Sequence, residues 1–163
     1  MLLRMSKQPA RVTLKTAQIG RCGELMVQFR LLMLGIDSAP MSTDSGIDLV
    51  AYPPKAASAT TIQVKTNLKP KPSGGRGKDT LDWRVAEDTP AQLITLVDLS
   101  TQREWVFQAE EVKALAQQHS GGQHHLYMVV DPTFRPTKPD RLSRSYEFER
   151  YLLENRAREL FGA

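Results

Sequence analysis

The chain is short of several things, and each shortage narrows what it can be. Among 163 residues there is a single cysteine, Cys22. A disulfide framework and a thiolate zinc site are therefore excluded, and a reducing, cytoplasmic setting is the expectation. No stretch approaches the ~18 apolar residues of a membrane span. The opening "MLLRMSKQPA" carries too short an apolar run for a signal peptide, so no membrane partner is expected. Histidine is scarce as well. His119, His124 and His125 lack metal-ligand spacing with Cys22 or with one another, and they read as polar residues at a strand edge. Neither sign of charge dominates. A net charge of +4 permits a polyanionic partner without requiring one.

What is present suits one domain with a sizeable core: 40% hydrophobic and 25% charged residues. Residues 1–14 read as a loose leader, 15–131 as the core domain, and 132–163 as a Pro-rich linker followed by a C-terminal amphipathic helix. "TAQIGRCGELMVQFRLLMLG" (16–35) is a helix with Thr16 at its N-cap and Gly35 at its end. Its apolar stripe is Ile19, Cys22, Met26, Phe29 and Met33, at steps of three and four. A loop over "IDSAPMSTDSG" leads into strands "IDLVAY" and "TTIQVKTN", joined by a turn containing Pro53 and Pro54. A flexible basic loop (68–80) follows, then strands "LDWRV", "AQLITLVDLS" and "REWVFQ". The helix "AEEVKALAQQ", the strand "HHLYMVV" and the helix "SRSYEFERYLLENRARELF" close the chain. This order predicts an α/β fold, a central mixed β-sheet flanked by helices with an added C-terminal helix.

The two strands at 47–52 and 60–67 carry polar groups whose placement needs explaining. Alternation puts Ile47, Leu49 and Ala51 on one face and Asp48 on the other, beside Val50 and Tyr52. In the second strand Ile62 and Val64 oppose Gln63 and Lys65. With both apolar faces turned to the core, chain reversal gathers Asp48, Gln63 and Lys65 on the far side. A wet hairpin face accommodates such residues without further purpose. Val50 and Tyr52 make this face partly apolar, however, and a covered carboxylate needs a partner, which can be Lys65 or a cation. Magnesium favours a carboxylate with neutral oxygens and water. Asp48, the Gln63 amide oxygen and the Val64 carbonyl would supply that set.

On the first helix Ala17, Gly20 and Glu24 lie along one side. Small residues there let a helix approach a sheet, with Glu24 aimed at what it covers; a solvent-facing glutamate is the alternative. The loop "KTNLKPKPSGGRGK" holds Lys65, Lys69, Lys71, Arg76 and Lys78 and no acid, which suits tracking of a phosphate backbone as well as it suits a connector. It does not fit a phosphate-binding P-loop, because Pro72 replaces the first glycine and no Ser or Thr follows Lys78 directly. Trp83 and Trp105 read as core. The tail arginines Arg141, Arg144, Arg150, Arg156 and Arg158, interleaved with glutamates, read as a solvated, pairing or dimer face.

A helix carrying "GRCGE", then "DSGID", then "QVK" resembles the PD-(D/E)XK nuclease superfamily, in particular its Mrr-type and Holliday-junction-resolvase-like members. The resemblance implies a restriction endonuclease-like fold and a metal-dependent endonuclease that hydrolyses phosphodiester bonds in DNA. In that scheme Asp48 and Gln63, with Glu24, bind Mg²⁺ or Mn²⁺, and Lys65 is the catalytic lysine that positions the attacking water. Gln63 stands where many members have Glu or Asp, and it removes a negative charge from the site. Asp44 is a further candidate ligand or a turn-forming residue. Lys69, Lys71, Arg76 and Lys78 would contact DNA, and a homodimer is left open. The alternative is a nuclease-fold subunit that binds DNA or protein without catalysis.

Overall fold

The computed structural model describes residues 12–43 and 45–162. Its elements are α1 (Thr16–Met33), β1 (Asp37–Pro40), β2 (Leu49–Tyr52), β3 (Thr60–Asn67), β4 (Lys71–Pro72), β5 (Asp79–Ala86), β6 (Leu93–Asp98), β7 (Arg103–Gln108), α2 (Ala109–Leu115), β8 (Gln118–Ser120), β9 (Gln123–Val129) and α3 (Leu153–Phe161). Five strands form a mixed sheet in the order β1-β2-β3-β6-β7, parallel only between β3 and β6. The expected mixed sheet flanked by helices is present. Beside it stands a second, antiparallel sheet, β4-β5-β9-β8.

The period-2 alternation of β3 decides which layer meets which face. Ile62 and Val64 join a core with Val27 and Leu31 of α1, Leu93 and Val97 of β6, and Leu153, Ala157 and Phe161 of α3. On the other face of the mixed sheet Ile94, Leu96, Trp105 and Phe107 pack against Leu81, Trp83, Val85, Leu126 and Met128 of the second sheet. Trp83 and Trp105 meet edge to face in this layer, 5.9 Å between ring centroids, and both are buried, as expected. The molecule is thus three layers: helices α1 and α3, the mixed sheet, the second sheet.

Several expectations change, one being that the stretch expected as a loop, 36–46, contains β1. The stripe of α1 that faces the sheet is Gly23, Val27 and Leu31, whereas Leu25, Phe29, Leu32 and Met33 are exposed. A side-chain-free residue makes the tightest contact, so the most regular apolar spacing was the wrong guide. Thr16 is not the N-cap; Lys15 holds that position, and its N–H donates to Gln18 Oε1 at 2.8 Å. The basic stretch 68–80 is a hairpin tip and no slack loop: β4 pairs with β5, and Gly77 N–H donates to the Ser73 carbonyl at 2.7 Å. The C-terminal helix is broken into a 3-10 turn, Ser145–Tyr151, and α3. Leu152 between them is extended and bridges to Trp105 of β7, because pairing an open strand edge there outweighs continuing the helix. Arg156 of α3 is buried, with its guanidinium on the Val106 carbonyl and on Glu111 and Glu159, so that arginine belongs to a pairing face.

Candidate active site

The site lies where β2 leaves β3. Ladder pairing between them covers only Ala51↔Thr60 to Leu49↔Ile62. Extending that register by one residue sets Asp48 opposite Gln63. The Asp48 N–H still donates to the Ile62 carbonyl at 2.9 Å, and then its side chain takes over: Oδ2 accepts the N–H of Val64 at 2.6 Å. A residue's N–H and C=O point the same way in a strand, and the odd residues of β3 address β6. The Val64 carbonyl therefore projects toward the edge that β2 has vacated, on the side of the Asp48 carboxylate.

Gln63 is 7% exposed. Tyr52, on the same face of β2 as Asp48, is 52% exposed and does not provide that cover. Gly46 and Thr89–Pro90 close over it instead. Thr89 Oγ1 donates to Gln63 Oε1 at 3.5 Å, a long hydrogen bond. Gly46 has φ +78, and a Cβ there would lie 3.0 Å from Pro90 Cδ and 3.7 Å from Gln63 Nε2. Both the backbone conformation and the crowding demand glycine in the "SGID" turn. Lys65 follows two residues along the same face and is half-buried. Among the described residues it joins no ion pair, and the Asp48 carboxylate takes the Val64 N–H. Two residues further, Asn67 Nδ2 donates to the Asp82 carbonyl of β5 at 2.7 Å, tying this strand to the second sheet.

Glu24 comes from the other layer. α1 crosses the face of β3 opposite Gln63 and Lys65, and it rests there through Gly23 on Thr66: a Cβ on Gly23 would fall 2.0 Å from Thr66 Oγ1. Gly20, expected to allow close approach, meets nothing within 4 Å. Four residues apart on α1, Glu24 and Gln28 share a side, and Gln28 Nε2 reaches the Ser38 carbonyl of β1 at 3.5 Å. That side faces the β1–β2 flank, toward which the Val64 peptide also points. Glu24 can thus reach the site only around the open edge of β3. Its carboxylate is held by Arg21 at 2.7 Å. Asp44 lies outside the described residues.

Among the described residues no three His, Cys, Asp or Glu side chains group closely enough to hold a metal ion. Register and the Val64 hydrogen bond leave the Asp48 carboxylate, the Gln63 amide oxygen and the Val64 carbonyl as the donors that could serve a cation here. All are hard oxygens, a set that fits Mg²⁺ or Mn²⁺.

Of the basic residues singled out, Lys69, Lys71 and Arg76 are exposed and, among the described residues, unpaired. Lys78 is engaged, 2.9 Å from Asp131 and 3.2 Å from Thr133 Oγ1. Hydrogen bonds from Thr133, and then from Lys78, hold the Asp131 carboxyl down at about 2.

The fold is shared with an endonuclease. The structure is similar to that of a bacterial homing endonuclease, I-Ssp6803I, with a TM-score of 0.51 and 16% sequence identity over 77% of this chain and 86% of that one. No protein-family model and no curated protein sequence matches the chain. Among the described residues no helix is long and apolar enough to cross a membrane.

Sequence reasoning missed two contributors. The Gly46–Pro90 lid over Gln63 joins segments 44 residues apart, and only the glycine of "DSG" hinted at it. The open edge of β3 was invisible because the short length of β2 is set by where it peels away.

Proposed function

We propose that the chain is a metal-dependent endonuclease acting on DNA, a member of the PD-(D/E)XK superfamily with glutamine at the second acidic position. The observation that carries this is the Asp48 carboxylate docked on the Val64 amide, between Gln63 and Lys65, in a fold shared with a homing endonuclease. Asp48, Gln63 and the Val64 carbonyl would hold Mg²⁺ or Mn²⁺, with Glu24 joining from the flank. When bound, such a cation makes a coordinated water a better nucleophile and offsets charge on the reacting phosphate. Asp48 supplies the negative charge at a fixed angle, because the Val64 N–H locks its carboxylate. Gln63 orients without adding charge. Lys65, which joins no ion pair among the described residues, positions the water and counters the phosphate's charge.

The second reading, a DNA- or protein-binding subunit without catalysis, is favoured by one observation: Glu24 is held by Arg21 and Gln63 is neutral, which leaves the proposed metal-binding set short of negative charge. Incubation of purified protein with plasmid, single-stranded and branched DNA, each with Mg²⁺ or Mn²⁺, separates the two. Cleavage that disappears in Asp48→Ala and Lys65→Ala supports the enzyme. Metal-independent binding with no cleavage of any substrate supports the subunit.

A further inference from the structure

The outer face of the second sheet is a concavity that the proposed chemistry does not use. Its volume is about 560 Å³, and the hairpin tip at Lys71–Lys78 and Phe134 help to line it. Register defines what this face displays. The pairs Arg84↔His125 and Asp82↔Tyr127 across β5 and β9, and Gln118↔His125 across β8 and β9, set Arg84, His125 and Gln118 in one row over three adjacent strands. Strands lie about 4.8 Å apart, so the row runs about 10 Å from the first Cα to the last.

Every member of the row ends in a hydrogen-bonding group. His125 links its neighbours, with Nδ1 at 3.3 Å from Gln118 Oε1 and Nε2 at 3.2 Å from Asp82 Oδ2. Arg84 is exposed and, among the described residues, has no hydrogen-bond or ion-pair partner. The residues alternating with this set, Leu81, Trp83, Val85, Leu126 and Met128, are buried in the core between the sheets. The outer row therefore sits on a rigid base. This face brings an arginine without a partner among the described residues, an amide and a carboxylate into a single concavity whose rim includes Lys71 of the hairpin tip.

We propose that this outer face of β5, β8 and β9 docks into the major groove of duplex DNA and reads base edges, with Arg84 and Gln118 as specificity-determining residues and the 69–76 cations on the flanking phosphates. The dimensions agree, because the major groove is about 12 Å wide and accepts a β-ribbon. The chemistry agrees too: arginine pairs with guanine O6 and N7, an amide with adenine, and a carboxylate such as Asp82 accepts from the cytosine amino group. Cations on the hairpin tip supply the sequence-independent attraction. Asn67 ties β3 to β5, so placement of this face on DNA would also orient the strand that carries Lys65. The choice of DNA over another polyanion rests on the endonuclease reading.

The test is selection of preferred sites from a random duplex library by the full chain in metal-free buffer, followed by binding titrations of Arg84→Ala and Gln118→Ala. Thermal melting verifies that the variants are folded. The expected result is a preferred sequence for the parent, with discrimination at one guanine falling roughly 10-fold or more in Arg84→Ala and affinity for random duplex falling by less than affinity for the preferred site. Protection of that guanine's N7 from methylation by the parent, abolished in Arg84→Ala, is also expected. Full discrimination in both variants, no sequence preference in the parent, or preference for RNA or single strands overturns the inference. Cleavage by the parent with discrimination intact in both variants would leave the enzyme standing without this reading face. Discrimination abolished in Arg84→Ala, in a parent that cleaves nothing, would support the face and remove the enzyme.

Discussion

The Asp48 carboxylate accepts the Val64 N–H at 2.6 Å, so a side chain replaces the next rung of the β2–β3 ladder. Asp48→Asn keeps an oxygen for that N–H and removes the charge. Its stability should stay within about 1 kcal/mol of the parent, while cleavage falls by about two to three orders of magnitude, the size expected when charge stabilisation at a reacting group is removed. Asp48→Ala also strands the amide and should cost about 1–3 kcal/mol. Thermal melts and single-turnover cleavage check both. An Asn variant that cleaves normally would remove Asp48 from the chemistry.

Gln63 is buried, so Gln63→Glu places a carboxylate where charge is costly without a cation. In chelator the variant should be less stable by about 1–3 kcal/mol, roughly 2–10 °C in Tm. Mn²⁺ should recover more of that loss in the variant than it adds to the parent. Equal responses to Mn²⁺ would place the ion elsewhere.

Gly20 and Gly23 should respond with opposite signs. Gly23→Ala drives a methyl to 2.0 Å from Thr66 Oγ1, and overpacking of this kind costs about 1–3 kcal/mol. Gly20→Ala meets nothing within 4 Å and should add about 0.5–1 kcal/mol through helix propensity. Denaturant melts of the two variants decide it, and matching signs would mean that α1 does not rest on β3 through Gly23.

Burial raises the Glu104 carboxyl from 4.5 to about 7, against the pull of Arg30 at 3.2 Å. A carboxyl whose folded value lies above its unfolded value stabilises most below the unfolded value, near pH 4.5, and loses that contribution as pH rises through about 7. Glu104→Gln should flatten the stability profile across this window and exceed the parent above it, by about 1–3 kcal/mol. Unfolding titrations at four pH values measure the slope. An unaltered slope would mean that Glu104 ionises equally in both states.

Replacement of Lys69, Lys71 and Arg76 by alanine should flatten the salt dependence of duplex binding, by about 0.9 in the log–log slope for each phosphate no longer neutralised. Lys78→Ala should change it less, because its ammonium is already held by Asp131 at 2.9 Å. Anisotropy titrations between roughly 50 and 200 mM salt measure both slopes. A slope that stays the same in the triple variant would reduce the hairpin tip to a structural turn.

Much of the site's local order was legible from residue types and alternation. Asp48 and Gln63 share a face because a strand has period two and a two-strand reversal preserves it. Ile62 and Val64 face the core because their partners do. The wrong stripe on α1 shows where such reasoning stops. Ile19, Cys22, Met26, Phe29 and Met33 keep a cleaner rhythm than Gly23, Val27 and Leu31, and hydrophobicity counting gives a glycine no weight even where its missing side chain is what lets the helix rest on Thr66.

By itself, then, the amino-acid order determined the mixed α/β class, the core side of each strand and the polar set at 48, 63 and 65, since these follow from local periodicity and solvation. Tertiary structure alone decided that β2 departs after three rungs and leaves the Val64 N–H to the Asp48 side chain, that Glu24 lies in the opposite layer, and that Arg84, His125 and Gln118 align across three strands. Those outcomes depend on register and layer order between segments distant in the chain, which no short window of residues encodes.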